Sequence, residues 1–176
     1  MTATIFLIQP LFGFYLLAIM LRFLLQWVRA DFYNPLVQFL VKITNPLLLP
    51  LRRIVPGIGG FDWARLLPAL LFQLLLSGAV VFLLRGSIED GAGLAIALFA
   101  LALRSLLRLT VYIFIGALIL LAVLSWVNPY SPFAGPVSQL TRPLLDPIRR
   151  IVPLISGIDL SPLIAILLLQ ALLIFL

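Results

Sequence analysis

The 176-residue chain contains no cysteine and no histidine. The first absence excludes disulfides, thiolate metal sites and a cysteine nucleophile. The second removes the commonest metal ligand and the one side chain whose unperturbed pKa lies near neutrality. Charge is also scarce. Charged residues make up 10% of the chain, against about 25% in soluble domains. Only six carboxylates are present, so general acid–base chemistry has few candidates. Hydrophobic residues, by contrast, reach 64%. There is too little polar surface to cover a water-soluble fold, and the composition calls for lipid. The net charge of +6 comes from eleven arginines and one lysine. In an apolar chain this reads as basic loops beside an anionic leaflet, with no nucleic acid implied. The first apolar run lacks a basic leader and an Ala-x-Ala site, so it reads as a retained helix rather than a cleaved signal.

What the chain does have is an internal duplication. Residues 44–62 return 97 residues later as 141–159, with thirteen of 19 positions identical. Shared leucine content does not explain this. Pro46, Pro50, Arg52, Arg53, Pro56, Gly60 and Asp62 stay in register with Pro143, Pro147, Arg149, Arg150, Pro153, Gly157 and Asp159.

Apolar runs long enough to cross a bilayer need roughly 20 residues. Four are expected, over 5–27, 63–84, 106–126 and 162–176, the last short at fifteen residues and expected to tilt little, thin the bilayer or pack inside the protein. Pro10 falls within the first turns of the first span, where a missing donor costs least. Arg22, one turn before Trp27, is expected to snorkel to the interface. Asn34 as N-cap and Pro35 at the first helical position predict a short helix over 35–44. Its Gln38 and Lys42 share a face opposite Leu36, Phe39, Leu40 and Ile43, which suits the interface plane. Pro46 and Pro50 are expected to break that helix, and Pro56 to end the segment among glycines. Asp62 and Asp159, with Ser161, are placed as helix N-caps. Residues 94–127 are too long for one crossing. They are read as a half-helix over 94–103 followed by a span, because Trp126 matches Trp27 and the piece before it has no counterpart.

The expected fold is therefore all-α and polytopic: two tandem repeats, 1–90 and 91–176, each with two transmembrane helices joined by an amphipathic, proline-rich interfacial loop. Basic residues concentrate in the two duplicated loops. Lys42, Arg52 and Arg53 lie in one, and Arg142, Arg149 and Arg150 in the other. The positive-inside rule places both in the cytoplasm.

Asn34-Pro35-Leu36, Thr44-x-Pro46 and Pro50-Leu51-Arg52-Arg53-Ile54-Val55-Pro56 resemble the signature of the YGGT family of bacterial and plastid membrane proteins. The stretch 141–153 repeats it. The second copy departs from the pattern, with Ser131-Pro132 for Asn34-Pro35 and Asp146 for Leu49. The resemblance covers both halves. It implies a small multi-pass protein of the bacterial inner membrane, with links in some members to osmotic stress, potassium or envelope organisation.

Three function classes follow. The first is a structural or assembly factor in which Arg52, Arg53, Arg149 and Arg150, with Lys42, contact anionic headgroups, a membrane-protein partner or another copy. Pro46, Pro50, Pro56, Pro143, Pro147, Pro153, Gly60 and Gly157 shape the loops. The alternative is a small transporter or channel subunit. Duplication favours it, and Arg104 and Arg108 are the intramembrane charges that serve it. An enzyme is disfavoured, since Asp62 and Asp159 stand where caps are expected. No cofactor or metal site is expected.

Overall fold

A computed structural model describes residues 2–54, 63–85, 91–152 and 159–176. Six helices occur among them and no strand. They are α1 (Thr2–Trp27), α2 (Pro35–Ile54), α3 (Trp63–Arg85), α4 (Gly91–Val127), α5 (Ala134–Ile151) and α6 (Ser161–Phe175). Within the described residues, α1 over Gln9–Trp27 and α4 over Gly93–Val127 are long and apolar enough to cross a membrane. Leu66–Val81 and Ser161–Phe175 are shorter apolar helices.

The duplicated prolines do not break their helices. Pro46 and Pro50 lie inside α2, and Pro143 and Pro147 inside α5. Each proline removes one bond to the carbonyl four residues earlier. A spacing of four puts both lost bonds of a pair on one face, so the other face of the helix keeps its ladder. Each helix also buries a stripe that holds it in place, apolar but for one threonine: Val37, Leu40, Thr44 and Leu48 in α2, and Val137, Leu140, Thr141 and Leu145 in α5. The short helix expected over 35–44 is thus one 20-residue helix.

Two further expectations change. Residues 94–127 belong to one continuous helix, the 37-residue α4, and are not a half-helix and a span. No proline interrupts this stretch, and Gly93 and Gly116 are tolerated inside it. Pro10 is the ninth residue of α1, beyond the first turn, so it removes a bond that Phe6 would otherwise receive.

The chain forms two compact units. One comprises Met1–Phe23 and Leu40–Leu109, the other Leu24–Phe39 and Thr110–Leu176. In the first, Phe12 of α1 stacks on Phe72 of α3 at 5.0 Å, and Tyr15 lies 5.4 Å from the same ring. The Tyr15 hydroxyl donates to the Ile43 carbonyl of α2 at 3.3 Å. In the second, Leu118 of α4, Leu145 of α5 and Ala165 of α6 form a core, against which Leu121, Ile148, Ile166 and Leu169 pack.

The end of α1 turns sharply. Ala30 N–H donates to Leu25 O at 2.8 Å and Arg29 N–H to Gln26 O at 3.1 Å. This is a Schellman closure, with Arg29 in the left-handed region at φ 56° where glycine is usual. Buried Ala30 and Leu25 supply the apolar contact that accompanies the motif.

Candidate functional site

The duplication seen in the sequence is repeated in hydrogen bonds at the same offset of 97. Asn34 N–H donates to Asp31 O, and Ser131 N–H to Asn128 O, at 3.2 and 3.1 Å. Asn34 Oδ1 accepts from Leu36 N–H at 3.0 Å, and Ser131 Oγ from Phe133 N–H at 3.3 Å. Thr44 Oγ1 donates to Leu40 O at 2.6 Å, and Thr141 Oγ1 to Val137 O at 3.0 Å. Both threonines are fully buried. A buried hydroxyl needs a partner, and the carbonyl one turn earlier supplies it without leaving the helix. The two turns also touch. Asn34 Nδ2 donates to Pro132 O at 2.6 Å. Asn34 therefore acts twice: it caps α2 as expected and ties the first turn to the second.

The candidate contact residues separate into different environments. Arg149 and Arg150 lie in the last turn of α5, where cations complement the helix dipole. Both are exposed. Arg149 is engaged: its Nε and Nη2 each lie 2.8 Å from Asp159 Oδ2. Asp159 Oδ1 meanwhile accepts from Ser161 N–H at 2.9 Å. One carboxylate thus joins the end of α5 to the start of α6. Lys42 is exposed on α2. Arg52 and Arg53 fall in the last turn of α2, with side chains outside the described set. Pro56, Gly60, Asp62, Pro153 and Gly157 lie outside the described residues.

Ser161, expected as an N-cap, is instead the first residue of α6, and the cap position falls on Leu160. The acceptor comes from Asp159, one residue earlier still. Ser161 is fully buried. Burial raises the pKa of Asp159, but its bonds from Ser161 and Arg149 outweigh this and hold it below the ordinary 3.8. A carboxyl with a depressed folded pKa adds stability that is present above 3.8 and lost as pH falls through the lower folded value. The melting midpoint in detergent should therefore drop below that pH in the native protein. Asp159→Asn should melt lower near neutrality and show a flatter acid limb. Parallel acid limbs would remove Asp159 from the acid response.

One residue that sequence reasoning misplaced is Arg22. It does not snorkel. It is buried in α1 and its Nη1 donates to Thr44 Oγ1 at 2.6 Å, Asn45 Oδ1 at 3.0 Å and Val41 O at 3.3 Å. The Thr44 hydroxyl in turn donates to Leu40 O, so the cluster runs from α1 into the α2 backbone just before Pro46. A signal was present. At the offset of 99 that aligns Trp27 with Trp126, Arg22 corresponds to Leu121. An arginine serving only the interface gives no reason for an apolar residue at the equivalent place.

Arg104 and Arg108 are both exposed on α4. Among the described residues, no group of three or more His, Cys, Asp or Glu gathers to hold a metal.

Residues 1–83 and 100–176 match the CCB3/YggT family. An uncharacterized protein of Pseudomonas aeruginosa is 45% identical over 171 residues, covering 96% of this chain and 85% of that protein. An uncharacterized protein from the proC 3' region of Vibrio alginolyticus is 43% identical, covering 93% and 88%. The uncharacterized protein YggT of Escherichia coli K12 is 38% identical over 174 residues, covering 96% and 86%. No solved structure is significantly similar. The signature prolines, arginines and threonines lie within the matched segments, and the chain belongs to the CCB3/YggT family.

Proposed function

We propose that this protein is a non-enzymatic, multi-pass protein of the bacterial inner membrane, a structural or assembly factor whose two duplicated loops contact anionic lipid headgroups or a membrane-protein partner. The observation that carries this reading is the pairing of opposite surfaces. Large apolar side chains point outward from α1, α4 and α6, among them Leu11, Ile96, Ile119, Leu167 and Ile174. Water would not tolerate so much exposed apolar surface on one chain, whereas lipid requires it. Against this, α2 and α5 carry polar faces and end in arginine pairs. Amphipathic helices of this kind lie in the interface, with cations toward the phosphates.

The family and its uncharacterized relatives support a membrane role without naming an activity. The osmotic-stress and envelope links remain part of the proposal. A channel or transporter reading rests on Arg104 and Arg108. From Arg108 to Val127 the helix rises roughly 28 Å, about the thickness of the hydrocarbon core. With Trp126 at one interface, Arg108 reaches the headgroups at the other, which favours an interfacial role over a pore lining.

Changing Arg52, Arg53, Arg149 and Arg150 together to Gln should reduce retention of phosphatidylglycerol by the purified protein severalfold in native mass spectrometry. Unchanged retention would refute the lipid contact. A reporter fused after Leu176 that works only in the cytoplasm would invert the orientation. Ion flux in liposomes would revive the channel.

A further inference from the structure

A groove of about 290 Å³ opens beside the end of α1, lined by Trp27, Val28, Gln139, Arg142, Pro143 and Asp146. Its chemistry is mixed in a particular way. Arg142 supplies a guanidinium and Asp146 a carboxylate, paired across one helical turn at 3.3 Å from Nε to Oδ2. Trp27 adds an exposed indole face. The prolines add acceptors. Pro143 cannot donate to the carbonyl of Gln139, nor Pro147 to that of Pro143, so two lining residues carry carbonyls deprived of their usual ladder donor.

We propose that this groove binds the headgroup of a zwitterionic phospholipid with a primary ammonium, of the phosphatidylethanolamine type. The Nη atoms of Arg142 take the phosphate, for which a guanidinium is well matched. Asp146 and the proline-freed carbonyls accept hydrogen bonds from the ammonium, and Trp27 offers its π face to the same charge. The charge pattern selects the class. A purely anionic headgroup gains from Arg142 but is repelled by Asp146. A choline headgroup keeps the contact with Trp27, but its methylated nitrogen has no hydrogen to donate to Asp146 or to the carbonyls.

The polar residues that the second copy gives this groove are not repeated in the first. At offset 97, Gln139, Arg142 and Asp146 correspond to Lys42, Asn45 and Leu49. Asn45 is occupied with Arg22, and Leu49 carries no charge. This explains the departure at Asp146 that the family signature leaves unaccounted for. The site is distinct from the arginine pairs at the helix ends, and its test separates from theirs.

The test is native mass spectrometry of the full-length protein with dioleoyl phosphatidylethanolamine, phosphatidylcholine and phosphatidylglycerol at equal concentration. Phosphatidylethanolamine should be retained at least about fivefold better than phosphatidylcholine, the scale of one charge-assisted hydrogen bond at a partly exposed site. Asp146→Asn should abolish that preference without lowering phosphatidylglycerol retention. Arg142→Gln should weaken phosphatidylethanolamine and phosphatidylcholine alike, through their common phosphate. Arg149→Gln with Arg150→Gln should leave the preference intact. Asp146 and Arg142 are solvent-accessible, so the variants should melt with the native protein, and an equal melting midpoint serves as the folding control. Equal retention of the ethanolamine and choline lipids by the native protein would overturn the proposal. So would a preference that survives Asp146→Asn.

Discussion

Arg22→Ala should lower the unfolding free energy by about 3 kcal/mol, the scale for removing one member of a buried polar cluster. The loss has two parts. Asn45 and the Val41 carbonyl lose a charged donor inside the protein, and the vacated guanidinium leaves a cavity between α1 and α2. Thr44 is affected less, because it keeps its bond to Leu40 O. Arg22→Lys should fall between native and alanine, since an ammonium keeps the charge and the donors but sits on a shorter stem than the Nη1 that reaches all three acceptors. The check is reversible unfolding in mixed detergent micelles, followed by helical circular dichroism. An arginine that merely snorkelled would give a variant indistinguishable from native, and that result would remove the cluster from the account of stability.

Leu118→Ala should cost about 2–3 kcal/mol, toward the lower end of the range for buried leucines in water-soluble proteins. The discount has a physical origin. In a bilayer the unfolded reference already keeps leucine out of water, so little transfer energy is lost. The remaining cost is contact: the side chain is fully buried against Leu145 and Ala165, and truncation leaves their packed atoms without partners. Leu120→Ala is the matched control, because Leu120 is exposed on the same helix. It should change stability by a few tenths of a kcal/mol at most. Equal effects at the two positions would show that α4, α5 and α6 do not share this core.

These two residues mark where the sequence was legible and where it was not. Positions that recur, such as Thr44 with Thr141 and the turns at Asn34 and Ser131, announced themselves by register, and the structure gives them matching bonds. Helix identity over α1, α3 and α6 was readable from length and hydrophobicity alone. Helix continuity was not. A proline lowers helix propensity locally, but whether the helix breaks depends on the packing of the opposite face, which involves residues far away in the chain. The continuity of α4 is illegible for a related reason: bilayer thickness suggests a limit on length, but the propensity of the segment gives no reason to stop. Arg22 is the clearest case. Its environment is made by Thr44 and Asn45, 22 and 23 residues further on, and an isolated charge in an apolar run looks the same whether it faces lipid headgroups or a buried hydroxyl. For the arginine pairs, residue type and position were legible. The engagement of Arg149 by Asp159 depends on how α5 meets α6, which spacing does not specify.

The buried Arg22 cluster has a consequence for the history of the duplication. A tandem copy starts as a spare, able to stand in for its twin. Here the first copy has an arginine where its twin has Leu121, and the second has an Arg142–Asp146 pair where its twin has Asn45 and Leu49. Each half carries a feature the other lacks. The halves have ceased to be spares, and a gene carrying either one twice would encode a chain missing one of the two.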